Sequence, residues 1–407
     1  MIRRERIIRS LHLPAVRRRT TRPRYARRRW LAALGILSLI VCGLGAWVYS
    51  DPAVVPDAVD MAREIFGPDA VASVEAWAFQ TQDAYRQARY QATGASNSLK
   101  WSAPAATPAP VAASAPPGAP AAPVATAQSP NVTAQGAAGQ TGTSGIWSPF
   151  VYDAAGRPVL ERAIVTPDPD RPYVETALVR IDLRDTQLHL VAGTLEPLSN
   201  VRIRRLGMIP IVDQRPGRLL AAFNGGFKAA NGAFGMAVNG VTLLSPSDGL
   251  ATLAIYRDGH VRLGIWGSDI GPAPDMTAYR QNCPLLLDGG KLTPQAETDA
   301  PTLWGRTVKN KIATWRSGLG LTADGRYLIY AAGDGLTVPT LAAALAAGGA
   351  DRGMQLDINS WWTRFVTYAP TSGGSGLVAQ KLFDSMVGNE RQFLAPDTRD
   401  FFYLTTR

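Results

Sequence analysis

The sequence predicts an α+β, mostly β extracytoplasmic domain with a few helices, preceded by one transmembrane helix and a disordered linker. Three observations predict it. Residues 31–49 form an uncharged, almost wholly apolar run of 19 residues. Residues 102–145 are Ala, Pro, Gly, Ser and Thr with few other types and no charge. From residue 146 onward, short β-type runs follow one another between glycine-containing turns.

Charge divides the chain in the same places. Residues 1–30 hold 12 Arg and one Glu, whereas residues 147–407 hold 26 Lys or Arg against 24 Asp or Glu. The net charge of +10 therefore belongs to the tail, and the main domain is close to neutral. A nucleic-acid-binding domain needs a basic face, so that class is disfavoured. As a helix, Leu31–Tyr49 would rise about 28 Å, the thickness of a hydrocarbon core. Trp30, Trp47 and Tyr49 stand at its ends, where amphipathic rings prefer the headgroup region. The arginines on its N-terminal side orient it with residues 1–30 in the cytoplasm and the main domain outside. An uncleaved signal anchor is expected over a cleaved signal peptide, because the apolar run is long and no small-x-small site directly follows it. The expected address is the cell membrane, single-pass, with the membrane as one partner and no nucleic acid.

The segment 50–101 carries a helical pattern, with Val71, Val74, Trp77, Ala78, Tyr85 and Tyr90 at three- and four-residue spacings after the Gly67-Pro68-Asp69 start. It reads as a stalk helix that packs on the domain or on a second copy. The stretch 102–145 cannot bury enough apolar surface to fold and reads as a tether, extended where proline is dense. In the domain, 146–407, the runs ALVRIDL, QLHLVAG, RLLAAFN, GMAVNG, ATLAIYRDGHVRLGIW, RSGLGLTADGRYLIYAAG and RFVTYAP read as strands. Asp258-Gly259 and Asp324-Gly325 predict hairpins. TVPTLAAALAAGG at 337–349 predicts a helix capped by Thr337 or Thr340, and a second short helix is expected near 201–208. The two cysteines, Cys42 and Cys283, fall in different compartments, which excludes a disulfide and a cysteine-based zinc site.

The stretch AAFNGGFKAANGAFGMAVNG at 221–240 places five glycines between two expected strands. Glycines there permit positive φ and leave backbone N–H groups free to face a ligand; an ordinary Gly-rich turn would read the same. Asn224-Gly225-Gly226-Phe227 and Val238-Asn239-Gly240 are followed by Pro284–Gly290, by Trp315-Arg316-Ser317-Gly318-Leu319-Gly320 with its Asp-Gly hairpin, and by Gly335-Leu336-Thr337, the Ala-rich helix and Met354-Gln355-Leu356-Asp357. These four pieces, in this order over roughly residues 175–370, resemble the phosphodiester glycosidase family, whose best-known members remove N-acetylglucosamine from a phosphodiester. One departure stands out. The family's Leu-Asp continues as Gly-Gly-Gly-Ser, whereas here Asp357 is followed by Ile358-Asn359-Ser360-Trp361-Trp362, and a β-branched residue does not readily take the place of a positive-φ glycine.

The resemblance implies hydrolysis of a sugar-1-phosphodiester, which requires stabilisation of an oxocarbenium-like centre and of a departing phosphate. Asp357 suits the first task as nucleophile, base or electrostatic partner, or it caps a turn. Arg316 suits the second, since a guanidinium matches two phosphate oxygens, or it pairs with Asp357 or Asp334. Asn224 would join them, with Gly225, Gly226, Asn239, Asp334, Asn359 and Trp361 as substrate-binding residues. Asp288 reads as a turn residue. Of the three histidines His12 is cytoplasmic, while His189 and His260 lie in strand contexts, so a Ser-His-Asp triad or a His-rich zinc site is not expected. No cofactor is required; a divalent cation could sit on Asp357, Asp334 and backbone carbonyls. The expected activity is a membrane-anchored hydrolase acting on carbohydrate phosphodiesters or envelope and capsule glycans. The alternative is a catalytically silent relative that binds a glycan or a partner.

Overall fold

Strand-forming runs that are apolar on both faces need a cover on each side, and here sheets cover sheets. The computed structural model describes residues 65, 68–94, 99–102, 147–297, 304 and 313–407, all within the unit Pro56–Arg407. The basic tail, the 31–49 run and nearly all of the 102–145 tether lie outside the described residues. No helix among the described residues is long and apolar enough to cross a membrane.

The largest sheet has eight strands: β1 (Ser148–Tyr152), β2 (Pro158–Val165), β3 (Thr176–Asp182), β14 (Tyr327–Leu336), β13 (Thr314–Leu321), β15 (Arg352–Ile358), β11 (Leu285–Asp288) and β12 (Lys291–Leu292), in that spatial order. A second sheet runs β7 (Val241–Leu244), β6 (Met236–Val238), β10 (Met276–Gln281), β8 (Ala251–Tyr256), β9 (Val261–Ile265). The third runs β17 (Leu377–Lys381), β16 (Phe365–Pro370), β5 (Leu219–Asn224), β18 (Phe401–Thr406), β4 (Thr186–Val191). All of these strand pairs are antiparallel, so short turns suffice to join many of them. The Asp258-Gly259 and Asp324-Gly325 turns join β8 to β9 and β13 to β14, each with its glycine at positive φ.

One core cluster draws on all three sheets, with Phe223, Phe365, Phe402 and Tyr330 among its largest members. Phe223 stacks on Phe365 with ring centres 5.6 Å apart and on Phe402 at 5.4 Å, which locks β5 between β16 and β18. Helix α3 (Val338–Ala347) covers the other face of the large sheet. Its first turn is a capping box: the Thr337 hydroxyl accepts from the Thr340 amide, and the Thr340 hydroxyl accepts from the Thr337 amide. Gly318 and Gly320 of β13 give Leu341 and Leu345 a flat seat, because a Cβ there would lie 3.3–3.4 Å from their methyl groups. A short helix, α2 (Pro294–Glu297), follows β12. Residues 201–208 carry no helix; that expectation is corrected, since the segment is an irregular loop held at Gly207 and Ile209 rather than by its own backbone.

Helix α1 (Pro68–Thr93) ends against the domain. Arg86 pairs with Asp334, Arg171 and the Tyr173 hydroxyl both reach Asp83, and Tyr90 packs on Tyr173 at 5.8 Å between ring centres. The chain then runs past the large sheet, where the Leu99 amide donates to Glu175 and Trp101 bridges to Phe383.

Deep between the second and third sheets lies a buried ion pair. Arg280, the penultimate residue of β10, donates from Nε to Asp400 Oδ2 at 2.8 Å, and both side chains are essentially without exposure. Its remaining N–H groups go to the carbonyls of Phe227, Phe234 and Gln281. Removing one partner of such a pair leaves an uncompensated charge, so Arg280→Met is expected to cost about 3–5 kcal/mol. Replacing both, as Arg280→Met with Asp400→Leu, should cost less than the single change. Urea denaturation of the two variants checks this; equal losses would mean that the pair's charge is not what holds this region.

Candidate active site

β15 runs through the middle of the large sheet and delivers Asp357 at its penultimate position, beside the end of β5. The Asp357 amide donates to the Gly225 carbonyl at 3.1 Å, which ties β15 to the glycine stretch. Its carboxylate is buried and meets two groups: Oδ1 accepts from the Ile358 amide at 3.0 Å, and Oδ2 is ion-paired with Arg399 Nη2. Burial pushes the Asp357 carboxyl up to about 6, against the pull of Arg399 and the Ile358 amide and with added repulsion from Asp400. A carboxyl poised near neutrality beside a guanidinium is the titratable group in this domain most fitted to chemistry.

Arg399 was not among the residues singled out from the sequence. It is buried, donates from Nη2 to the Gly226 carbonyl at 3.0 Å as well as to Asp357, and lies over the Trp362 ring at 4.4 Å. Its Nε and Nη1 are buried with no hydrogen-bond partner. Unmet guanidinium donors are costly and call for an explanation. Lys228 Nζ lies 5.2 Å from the Trp362 ring centre. Arg399 lies beyond the stretch that carries the family resemblance. The available signal was the pair Arg399-Asp400 immediately before the apolar run FFYL, where charge has no solvent-facing reason to be.

The expected site residues divide. Gly225 and Gly226 do lie against the Asp357 cluster, but their amides are not left for a ligand, which corrects that expectation. The Gly225 amide donates to the Asp400 carbonyl, the Gly226 amide to Asp400 Oδ2 at 3.2 Å, and the Phe227 amide to Asn282 Oδ1. Close approach is needed for the protein's own ion pair: a Cβ on Gly225 would lie 2.0 Å from Asp400 Oδ2, and one on Gly226 3.0 Å from Arg280 Cζ. Asn224 is likewise internal. Its Oδ1 accepts from the Tyr330 hydroxyl and the Arg364 amide, and its Nδ2 donates to the Ser317 hydroxyl and the Gly225 carbonyl. That fills its hydrogen-bonding capacity with groups of the protein itself. Ser317 passes the support on, donating to the Asp357 carbonyl at 2.8 Å.

Arg316 is fully buried, with Nε on the Leu336 carbonyl at 3.0 Å and Nη1 on Gln355 Oε1 at 2.8 Å. Burial lowers its pKa to about 10. Neither expected carboxylate partner is its own, since Asp357 pairs with Arg399 and Asp334 with Arg86. The same two pairs rule against Asp357 and Asp334 sharing a cation. Among the described residues no group of three or more His, Cys, Asp or Glu side chains converges as a metal site. Asn239 is corrected too: with φ of 50° beside Gly240 at 75°, it is exposed in the two-residue turn from β6 to β7, in a different sheet from Asp357. Asp288 ends β11 before the Gly289-Gly290 turn and pairs with Arg352 at 3.0 Å.

The altered loop resolves simply. Ile358 ends β15 in extended backbone, and the positive φ, 68°, falls on Asn359, a residue that tolerates it. Asn359 Oδ1 accepts from the Trp361 amide at 3.0 Å, and its carbonyl accepts from Thr363. Trp361 gives its carbonyl to Arg364, whereas Trp362 is the ring that covers Arg399.

Residues 217–357 match the phosphodiester glycosidase family model, and the match runs from just before the glycine region to Asp357. Among solved structures, the catalytic domain of zebrafish N-acetylglucosamine-1-phosphodiester alpha-N-acetylglucosaminidase, auto-inhibited by its pro-peptide, is similar at 16% identity over 64% of this chain and 88% of that one, with a TM-score of 0.40. A hypothetical protein from Synechocystis is similar at 12% identity over 57% of this chain and 59% of that one, with a TM-score of 0.30. No curated protein matches the chain.

The glycine reading yields a direct test. Gly225→Ala drives a methyl into Asp400 and should cost about 1–3 kcal/mol of stability. Gly271→Ala, where a Cβ meets nothing within 4 Å, should stay within about 0.5 kcal/mol of wild type. Chemical denaturation of both variants compares them, and equal stabilities would remove the close-approach explanation.

Proposed function

We propose that this protein is an extracytoplasmic hydrolase that cleaves sugar-1-phosphodiester bonds, with Asp357 and Arg399 as its working pair. The single observation that carries the reading is Arg399: a buried guanidinium with two unpartnered nitrogens, ion-paired to a carboxylate whose pKa is raised to about 6. The phosphodiester glycosidase match over 217–357 supports the reaction class.

In this reading an unpartnered nitrogen of Arg399, Nη1 or Nε, donates to an oxygen of the phosphodiester. The bond between the anomeric carbon and the phosphate oxygen breaks, and its electron pair leaves with the phosphate as a stable anion. Asp357, ionised, offsets the positive charge at the anomeric carbon and takes the proton of the water whose hydroxyl adds there. Phosphate needs little acid assistance to leave, so no general-acid histidine is required. The Trp362 indole offers a face to the sugar or to Arg399 itself. The substrate is proposed as a GlcNAc-phosphodiester-like unit of an envelope or capsule glycan, and the 31–49 apolar run after an Arg-rich tail supports a single-pass membrane placement with a cytoplasmic N-terminus.

A second reading has its own observation. Arg399 already engages Asp357 beneath Trp362, and a pair that stays closed would bind an anionic glycan without cleaving it.

Release of N-acetylglucosamine from a GlcNAc-1-phosphodiester model compound separates the two. Asp357→Asn is expected to lose at least about a hundredfold in kcat, with substrate binding retained. Loss of activity on adding a chelator would overturn the metal-free pair. Wild type that binds the compound and never turns it over would make the binding reading the correct one.

The pH profile carries the sign. Because the ionised form of Asp357 works, kcat/KM should fall as pH drops through about 6. Arg399 pulls the Asp357 carboxyl down, so in Arg399→Gln the acid limb should move to higher pH. An acid limb that stays in place would detach Arg399 from Asp357.

A further inference from the structure

We infer that the loop from Leu195 to Val212 is a docking surface for an anionic lipid bilayer. Eleven large apolar side chains are exposed among the described residues, and six of them fall in this one loop. Ile211 and Val212, side by side in a turn, are 70% and 56% exposed, and Leu198 and Leu206 are about half exposed. Scattered surface leucines need no explanation, but a concentration of this kind does.

The loop is held, not loose, and the way it is held presents these side chains outward. Ile209 is fully buried, with its amide on the Phe393 carbonyl at 2.9 Å. Gly207 packs against the Asp397 backbone and accepts from its amide at 2.8 Å. The Ser199 hydroxyl donates to the Leu243 carbonyl, and Arg205 donates to the Pro197 and Leu195 carbonyls. These anchors fix the backbone on the domain while the apolar residues between them remain uncovered.

Charge chooses the occupant. The two acids of the region are turned inward: Glu196 is 4% exposed and accepts from the Leu198 and Ala229 amides, while Asp213 is bound by Arg218 and the Tyr403 hydroxyl. Arg202 and Arg204 point to solvent among the leucines. The outward face is thus apolar and positive at once. A polyanionic chain would satisfy the arginines and leave Ile211 and Val212 in water, whereas a bilayer interface with anionic headgroups takes both.

The test is hydrogen exchange on the full chain in phosphatidylcholine bilayers and in bilayers that also contain phosphatidylserine. The amides of this irregular loop exchange quickly when uncovered. Exchange over residues 198–212 should slow several-fold in the anionic bilayers and not in the neutral ones. Arg202→Glu with Arg204→Glu, and separately Ile211→Ser with Val212→Ser, should abolish the slowing, with exchange in β13–β15 unchanged as proof of fold. Equal exchange in both bilayers would overturn the proposal. So would slow exchange already present in detergent, which would mean that another part of the chain covers the loop, or slowing that persists in the charge-reversed variant.

Discussion

Everything around the candidate site is arranged to keep one buried ion pair satisfied. Arg280 lies in β10 and Asp400 just before β18 of another sheet, and they meet where neither is reached by water. Two charges there are tolerable only if their remaining donors and acceptors are filled. Three carbonyls close around Arg280, and the Gly226 amide reaches the Asp400 carboxylate. Side chains at 225 and 226 would push that backbone away from the pair. The glycine-rich stretch is therefore the inner wall that lets main chain serve as the solvent of a salt bridge.

Asp357 inherits its chemistry from the same arrangement. Its backbone is tied to Gly225 and Ser317, so its carboxyl is carried into a dry region where ionisation is penalised. Arg399 draws the pKa down and Asp400 pushes it up, and burial outweighs both. The carboxyl ends near 6, within reach of both protonation states at neutral pH. Asn224, Tyr330 and Ser317 set where the carboxyl stands and leave its reactivity to the charges around it.

Much of the fold was legible because alternating and fully apolar runs, Asp-Gly turns and a Thr-capped Ala-rich helix each have a local cause. β10 was not, because MTAYRQ ends in Arg280 and Gln281, and buried polar residues erase the pattern that marks a strand. The loop near 201–208 misled in the opposite way: its apolar spacing suits a helix, yet the backbone is spent on contacts to Phe393 and Asp397. In the site, Asp357 was visible as a carboxylate in a recognisable run. Arg316 was plausible by the same logic and belongs instead to Gln355 and the Leu336 carbonyl. A sequence shows that an arginine and an aspartate are near in the chain but not which arginine folding delivers, and Arg399 arrives from more than forty residues away.

The dipeptide Arg399-Asp400 joins the two levels. Consecutive residues entering β18 send their side chains opposite ways, so Asp400 turns to Arg280 in the core while Arg399 turns to Asp357 and Trp362. The core pair fixes the backbone of β18 at its first residues, and that fixation sets where the Arg399 guanidinium sits. Its two unfilled nitrogens are then held in place at a cost the core can bear, because the neighbouring charge is already fully compensated. A mobile arginine would find water or a carbonyl for those donors. This one cannot: its donors are held in place unfilled, and a ligand reaches them only when the Trp362 ring that covers Arg399 moves aside.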